Sequence, residues 1–358
     1  IEHHAHLQKD FGSSSGRAYL AWGVTTMRSP GGSPYESVEY KEAVEAGVRP
    51  GPHIYSTGYL MEWNRVYYNM AVAVSSPAHL DLEMQRAKVL GHDMLKSYVR
   101  MPDLMQKRMI DFAHTAGIPV SSHEVYPSSL SGIDMTEHMG ATSRRGFSPK
   151  QATLQATYED VIKLFTTAGQ SITPTFSLGG AGLRRAVELD TTLRTDPRFA
   201  LYPTWLTAAT TGTTVAGGGG GRGGRGGGAG GGGRGGRGGA TIPAAQEPSN
   251  AELAMLRMMR AGMTILAGTD TPNAANLHGE LRSFVGAGMT PFQALQTATV
   301  HPARILGIDA GSIEVGKLAD LVLVDGNPLA DVGAAHRVRQ VMANGRVYTM
   351  AELLKQPE

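Results

Sequence analysis

Ile265-Leu266-Ala267-Gly268-Thr269-Asp270 is a short apolar run that closes on a carboxylate. Read as a strand of a parallel barrel, it delivers its last residue to the C-terminal rim, where side chains of that architecture do their chemistry. His4, His6, Lys96, His123 and His138 each stand at or just after a similar strand-like run, and helix-like stretches separate the runs. Strand, helix and rim residue repeating along the chain predict an α/β fold, a TIM-like (β/α)8 barrel. Imidazoles and a carboxylate gathered at such a rim are a ligand set for divalent metal.

Outward from Asp270 the runs fall in order. Ile1 to Leu7 reads as the end of a strand, and period 2 puts His4 and His6 on one face while His3 and Ala5 point away. Gly23 to Arg28 and His53 to Ser56 are further strands. Asp93 to Arg100 alternates so that Lys96, Tyr98 and Arg100 share a face. A lysine aimed into a barrel mouth is unusual, because lysine is rarely buried without a partner. Ile118 to His123 and Ile133 to His138 both finish in histidine, and Ser171 to Thr175 supplies a seventh strand. Helices are expected over Tyr35–Ala46, Ala78–Gly91, Asp103–Ala116 (ended by Gly117), Pro149–Ala168, Glu247–Arg260 and, capped by Thr290 with Pro291 behind it, from Thr290 through Ala298. Leu60 to Ala73, with Met61, Trp63, Tyr67, Tyr68 and Met70, reads as an aromatic strand-to-helix loop walling the mouth. His278 opens a helix after Asp270 and reads either as a histidine reaching the substrate or as one that caps and packs locally.

The totals narrow the function. A chain of 358 residues accommodates one barrel and a small appendage, and 41% hydrophobic with 18% charged residues describes a globular protein with a substantial core. A formal charge of +2 implies no broad attraction to nucleic acid or anionic membrane. With no cysteine there is neither a disulfide framework nor a thiolate ligand. No apolar run reaches the length of a membrane span. Residues 216–240 comprise 18 glycines, four arginines and three alanines. That composition offers nothing to bury and reads as a flexible insertion on the rim. Without interleaved aromatics it is a poor RNA-binding tract. Residues 1–305 therefore form the barrel. Residues 306–358 change character: Ile313 to Asp325 and Val338 to Tyr348 read as strands, with Asn344-Gly345 as a hairpin turn. Val322, Val324, Val341 and Val347 need an apolar partner sheet, expected from strands before Ile1 or from another chain in a homo-oligomer.

This pattern resembles the metal-dependent amidohydrolase superfamily, most closely its imidazolonepropionase and prolidase-like branch, including barrels fused behind TolB-type propellers. Ile1-Glu2-His3-His4-Ala5-His6 is similar to the strand-one metal motif, with Glu2 where aspartate is commoner. Lys96, His123, His138 and Asp270 stand at the later ligand positions, and Gly316 to Val322 resembles the return into a β-sandwich whose first half is absent here. The resemblance implies two divalent metals, zinc by ligand preference. His4, His6 and Asp270 would hold one, His123 and His138 the other, and a carbon dioxide-derived carbamate on Lys96 would bridge them. It further implies hydrolysis of a carbon–nitrogen amide bond by a bridging hydroxide, with Asp270 as proton shuttle and Tyr98 or Arg100 touching the substrate. The substrate would be a small molecule with an amide or ester carbonyl: an N-acyl amino acid, dipeptide or cyclic amide. An esterase or lactonase on the same centre, or an inactive barrel used for binding, are the alternatives. Resemblance favours a periplasmic or secreted location.

Overall fold

A run of short parallel strands carries the site. The computed structural model describes residues 1–7, 12, 14–125, 128–140, 157–178, 186–204, 206–207 and 247–355. β3 (Leu60–Trp63), β4 (Ala71–Val74), β5 (Leu95–Ser97), β6 (Val120–Ser122), β7 (Met135–Glu137), β8 (Ser171–Thr173) and β9 (Thr264–Ile265) form a seven-stranded parallel sheet in the order β4-β3-β5-β6-β7-β8-β9. β1 (Thr26–Ser29) and β2 (His53–Ser56) pair parallel to each other.

The N-terminal segment closes the ring. Glu2 N donates to Thr26 O and Arg28 N to Glu2 O, both at 2.9 Å, while His3 N reaches Ala267 O at 2.9 Å and Thr269 N reaches His4 O at 3.0 Å. On the other side Asp93 N donates to Ser56 O at 2.9 Å, joining β2 to the approach of β5. Residues 1–6, β1, β2 and β5 to β9 are thus the successive staves of a (β/α)8 barrel.

Helices follow the staves. Among them are α1 (Ser14–Ala21), α2 (Pro34–Glu45), α3 (Pro77–Val89), α4 (Asp103–Thr115), α5 (Ser128–Ser131), α6 (Glu159–Thr167), α7 (Asn250–Arg260), α8 (Ala275–Ala287) and α9 (Pro291–Gln296). Their ends obey local chemistry. Ser249 and Glu252 form a reciprocal capping box on α7, Thr290 and Gln293 another on α9, and Gly117 leaves α4 with φ 73°. Met27, Ile172, Ile265, Met255, Phe165 and Phe284 pack in the main apolar core, and Leu95, Val120, Met109 and Ile110 form a second cluster between strands and α4. None of the described helices is long and apolar enough to cross a membrane.

The small antiparallel sheet contains β10 (Leu321–Val324), β11 (Val338–Ala343) and β12 (Arg346–Thr349). Asn344 and Gly345 turn it with φ 52° and 69°, the two positive values that a tight hairpin requires. Val341, Ala343 and Tyr348 are buried in the main core, whereas Leu321, Val322, Leu323 and Val347 are exposed.

Three local expectations need correction. Leu60 to Ala73 is not a plain loop, since β3 and β4 lie within it as a parallel pair, and Tyr67 N donates to Glu62 Oε2 at 2.8 Å to pin the turn between them. Helix α6 begins at Glu159 because Tyr158 is extended (φ −67°, ψ 148°); residues 149–156 of the expected helix lie outside the described residues. The strand expected over Ile313 to Asp325 is confined to β10, the earlier part being broken by Gly316 at φ 92°. The glycine-rich stretch 216–240 also lies outside the described residues.

Candidate metal centre

Three strand ends turn sharply to present their residues. His138 follows β7 with φ 60°, Thr175 follows β8 with φ 54°, and Asp270 lies beyond β9 with φ 54°. Left-handed backbone is uncommon for non-glycine residues and costs on the order of 1–3 kcal/mol each. Gly268 is glycine for a separate reason: a Cβ there would lie 2.6 Å from His4 N and 2.7 Å from His4 Cβ. Without it the Asp270 strand could not lie so close to the histidine segment.

The side chains converge on one carboxylate. Asp270 Oδ1 lies 3.0 Å from His6 Nε2 and 3.3 Å from His4 Nε2, and Oδ2 lies 3.8 Å from His138 Nε2. One ligand atom from each of His4, His138 and Asp270 falls within 4.8 Å of the others. The His123 ring stacks edge-on to His138 with centroids 4.7 Å apart, and Tyr98 packs on His123 at 4.8 Å.

The opposite ring nitrogens are occupied. His4 Nδ1 lies 2.7 Å from Glu137 Oε2, His6 Nδ1 lies 2.8 Å from Gly31 O, and His138 Nδ1 lies 2.6 Å from Thr175 Oγ1. A carbonyl or ionised carboxylate can only accept, and the Thr175 hydroxyl already donates to Pro174 O at 2.8 Å. Each Nδ1 is therefore the protonated nitrogen, and each Nε2 presents a bare lone pair. His4 Nε2 is buried and makes no hydrogen bond. Bare nitrogens facing carboxylate oxygens at 3.0 to 3.8 Å repel one another unless a cation lies among them. The donor set fits a divalent metal.

Charge supports the same assignment. Burial pushes the His138 imidazole down to about 3 in spite of Asp270, so the ring is neutral. Lys96, on β5, is 2% exposed, and burial brings its ammonium down to about 8. Its nearest carboxylate oxygen, Glu137 Oε1, is 3.9 Å away and engaged by Arg28 Nη2 at 2.6 Å.

His4, His6, Lys96, His123, His138 and Asp270 all line one cavity of about 240 Å3, which Leu60, Tyr68, Met70, Tyr98 and Leu178 complete as an apolar and aromatic wall. A larger cavity of about 300 Å3, bounded by Trp22, Leu281, Leu321 and Val322, lies between barrel and small sheet and contains none of the histidine–aspartate cluster, so the chemistry belongs to the smaller one. Arg100 is not among the residues lining the cluster cavity. β5 ends at Ser97, the alternation stops there, and Arg100 Nη1 donates to the buried Glu62 Oε1 at 2.8 Å. His278 is buried with Nε2 2.8 Å from Trp22 O and lines the larger cavity. Sequence reasoning missed Glu137 and Arg28, both fully buried at the base of the cluster. The available signal was a charged residue inside each of two otherwise apolar or small-residue strands.

Comparison with known proteins follows these lines. Residues 234–348 match the model of the Amidohydrolase family. The adenine deaminase of Methanosphaera stadtmanae is 42% identical over 65 residues, which is 18% of this chain and only 11% of that protein. Among solved structures, a putative prolidase from Bifidobacterium longum superposes with TM-score 0.66 at 24% identity over 97% of this chain and 79% of its own. A Xaa-Pro dipeptidase with methionine in its active site gives 0.64 at 19% over 97% and 85%. The ochratoxinase of A. niger gives 0.63 at 15% over 97% and 82%. Over residues 234–348 the chain is thus similar in sequence to the Amidohydrolase family, and the solved structures share its barrel fold.

Proposed function

We propose that the protein is a metal-dependent hydrolase that cleaves the carbon–nitrogen bond of a small amide: an N-acyl amino acid, a dipeptide or a cyclic amide. The observation that carries this is the convergence of the Nε2 atoms of His4, His6 and His138, Nδ1 pinned in each, on the Asp270 carboxylate. His4, His6 and Asp270 would hold one divalent ion and His123 with His138 a second, with Lys96, as a carbamate, between them. Zinc suits these nitrogen and oxygen donors.

When bound, such ions acidify a water and polarise a carbonyl. The chain's own residues supply the rest. Asp270 would take a proton from the attacking water and return it to the leaving nitrogen. Lys96 is buried and loosely paired, so its amine can be deprotonated near neutral pH and react with carbon dioxide. Leu60, Met70 and Tyr98 exclude water from the bond being cleaved and present an apolar wall to the acyl group. The structural relatives named as prolidase and Xaa-Pro dipeptidase agree with an amide substrate.

The test is elemental analysis of the purified protein together with a hydrolysis screen of N-acyl amino acids, dipeptides, cyclic amides and lactones, with and without chelator. Bound transition metal and chelator-sensitive amide cleavage are expected. Turnover of lactones alone would move the centre to ester chemistry. No bound metal, with hydrolysis indifferent to chelator, would overturn the proposal.

A further inference from the structure

Beneath the cluster lies a fully buried ion pair that hydrogen-bonds to His4 and lies 3.9 Å from the Lys96 ammonium. Glu137 Oε1 accepts from Arg28 Nη2 at 2.6 Å, and its other oxygen, Oε2, accepts from His4 Nδ1 at 2.7 Å. Arg28 is itself fixed on several sides: Nη2 donates to Ser121 Oγ at 2.7 Å and Nη1 to His3 O at 3.2 Å, and Nε lies 2.8 Å from Met94 Sδ. A guanidinium only donates, so the carboxylate oxygen facing it is committed as acceptor. What remains for His4 is the second oxygen, in a geometry the ion pair dictates. An isolated buried pair of this kind is weak evidence for stability, because desolvation offsets most of its attraction. Its value must therefore be sought in what it orients.

We propose that Glu137, locked by Arg28, is a positioning residue that fixes His4 as the tautomer protonated on Nδ1 and so turns its Nε2 lone pair toward the metal site. The inference rests on the metal-binding reading above. His6 and His138 take their partners from a main-chain carbonyl and a threonine hydroxyl, whereas His4 takes a full carboxylate, which also makes its ring a better donor to a cation.

Glu137→Gln tests this sharply. Arg28 must still be accepted by an oxygen, so the amide carbonyl faces Arg28 and the amide NH2 faces His4. That NH2 donates to Nδ1, which moves the ring proton to Nε2 and points an N–H at the metal site. The isosteric change therefore inverts the ligand. Adding Arg28→Met removes the constraint and lets the amide flip, so the double variant should recover part of what Glu137→Gln loses.

Ring nitrogen shifts of His4 in metal-free, 15N-histidine-labelled protein, assigned by their absence in His4→Asn, read the tautomer directly. Zinc affinity by competition with a chromophoric chelator reads its consequence. The wild type should show Nδ1 protonated and Nε2 bare. Glu137→Gln should show the reverse and bind zinc about 10- to 100-fold more weakly. A wild-type His4 protonated on Nε2 overturns the proposal without any variant. So does a Glu137→Gln protein whose His4 tautomer or zinc affinity is unchanged. If the wild type takes up no zinc, the metal-binding reading fails, and the two tautomers alone decide the positioning role.

Discussion

A free ammonium next to bound divalent cations is repelled, and Lys96 is already brought down to about 8 by burial before any ion arrives. Lys96→Ala is expected to lose bound metal as well as rate, with acetate or propionate restoring part of both by filling the vacated space. Asp270→Asn should keep more metal than activity, because it removes the proposed proton carrier while leaving the histidines in place. Metal content and kcat/KM measured on both variants check the contrast: a Lys96→Ala protein with full metal and near-normal kcat/KM would make Lys96 a bystander. At this scale the sequence was informative about residues that meet bulk chemistry and silent about those that serve them. His4, His6, His123, His138 and Asp270 could be singled out because a histidine or aspartate at the end of an apolar run is conspicuous, and Lys96 because a lysine aimed into a barrel mouth is unusual. Glu137 was hidden by its neighbour His138, and Arg28 by a strand whose inward face is assigned by partners far away in sequence: Ser121 and Glu137. Arg100 shows the converse, for strict alternation carries its side chain to the mouth only if the strand continues past Ser97, and it does not.

Strand-to-helix turns define the second scale. The turn after β8 is secured by one side chain of α8: Glu280 accepts from Phe176 N at 2.9 Å, Ser177 N at 2.8 Å and Ser177 Oγ at 2.8 Å. Burial nonetheless pushes the Glu280 carboxyl up to about 7, the three hydrogen bonds opposing it. Below the unfolded value near 4.5 both states hold the proton and no penalty arises. Between there and about 7 the unfolded chain ionises while the folded one keeps its proton, so stability falls as pH rises. The stability of the wild type relative to Glu280→Gln should drop by up to about 3 kcal/mol between pH 4.5 and 8, which urea unfolding at stepped pH would show. A flat difference would mean that Glu280 is ionised in the fold throughout. The helix ends at Thr290 and Gly117 were well read, since each acts on its own nearest neighbours, whereas Ser249, which caps α7, lies inside the helix expected from Glu247. The β3–β4 pair escaped because Leu60 to Ala73 is rich in aromatics that also suit a pocket loop. The four-residue register between β3 and β4, the pairing with β5 at Met61 and the Glu62 bond to Tyr67 make it a sheet extension.

For the whole molecule, closure of the barrel depends on residues 1–6 lying between β9 and β1, and the small sheet shares the barrel's apolar core through Val341, Ala343 and Tyr348. The side chains of residues 216–240 are nearly all hydrogen or methyl and offer little to bury. Replacing that stretch with a short linker should change unfolding free energy by less than about 1 kcal/mol, because closure entropy varies by only about 0.6 kcal/mol per doubling of loop length. A collapse of the cooperative transition on denaturant unfolding would show instead that the stretch is part of the fold. The barrel was legible because its repeat is global. The exposure of Leu321, Leu323 and Val347 beside the burial of Val341 was not, because which face of a short strand is covered depends on the body it lands on.

The left-handed backbone at His138, Thr175 and Asp270 has an evolutionary consequence. At each of these positions glycine would relieve the local conformation, so selection for heat resistance alone would favour it. At each it would also delete a histidine donor, the hydroxyl that orients that donor, or the carboxylate on which the others converge. Heritable gains in stability must then arise elsewhere in the chain, and descendants that drift toward glycine at these strand ends should be sturdier barrels without a reaction.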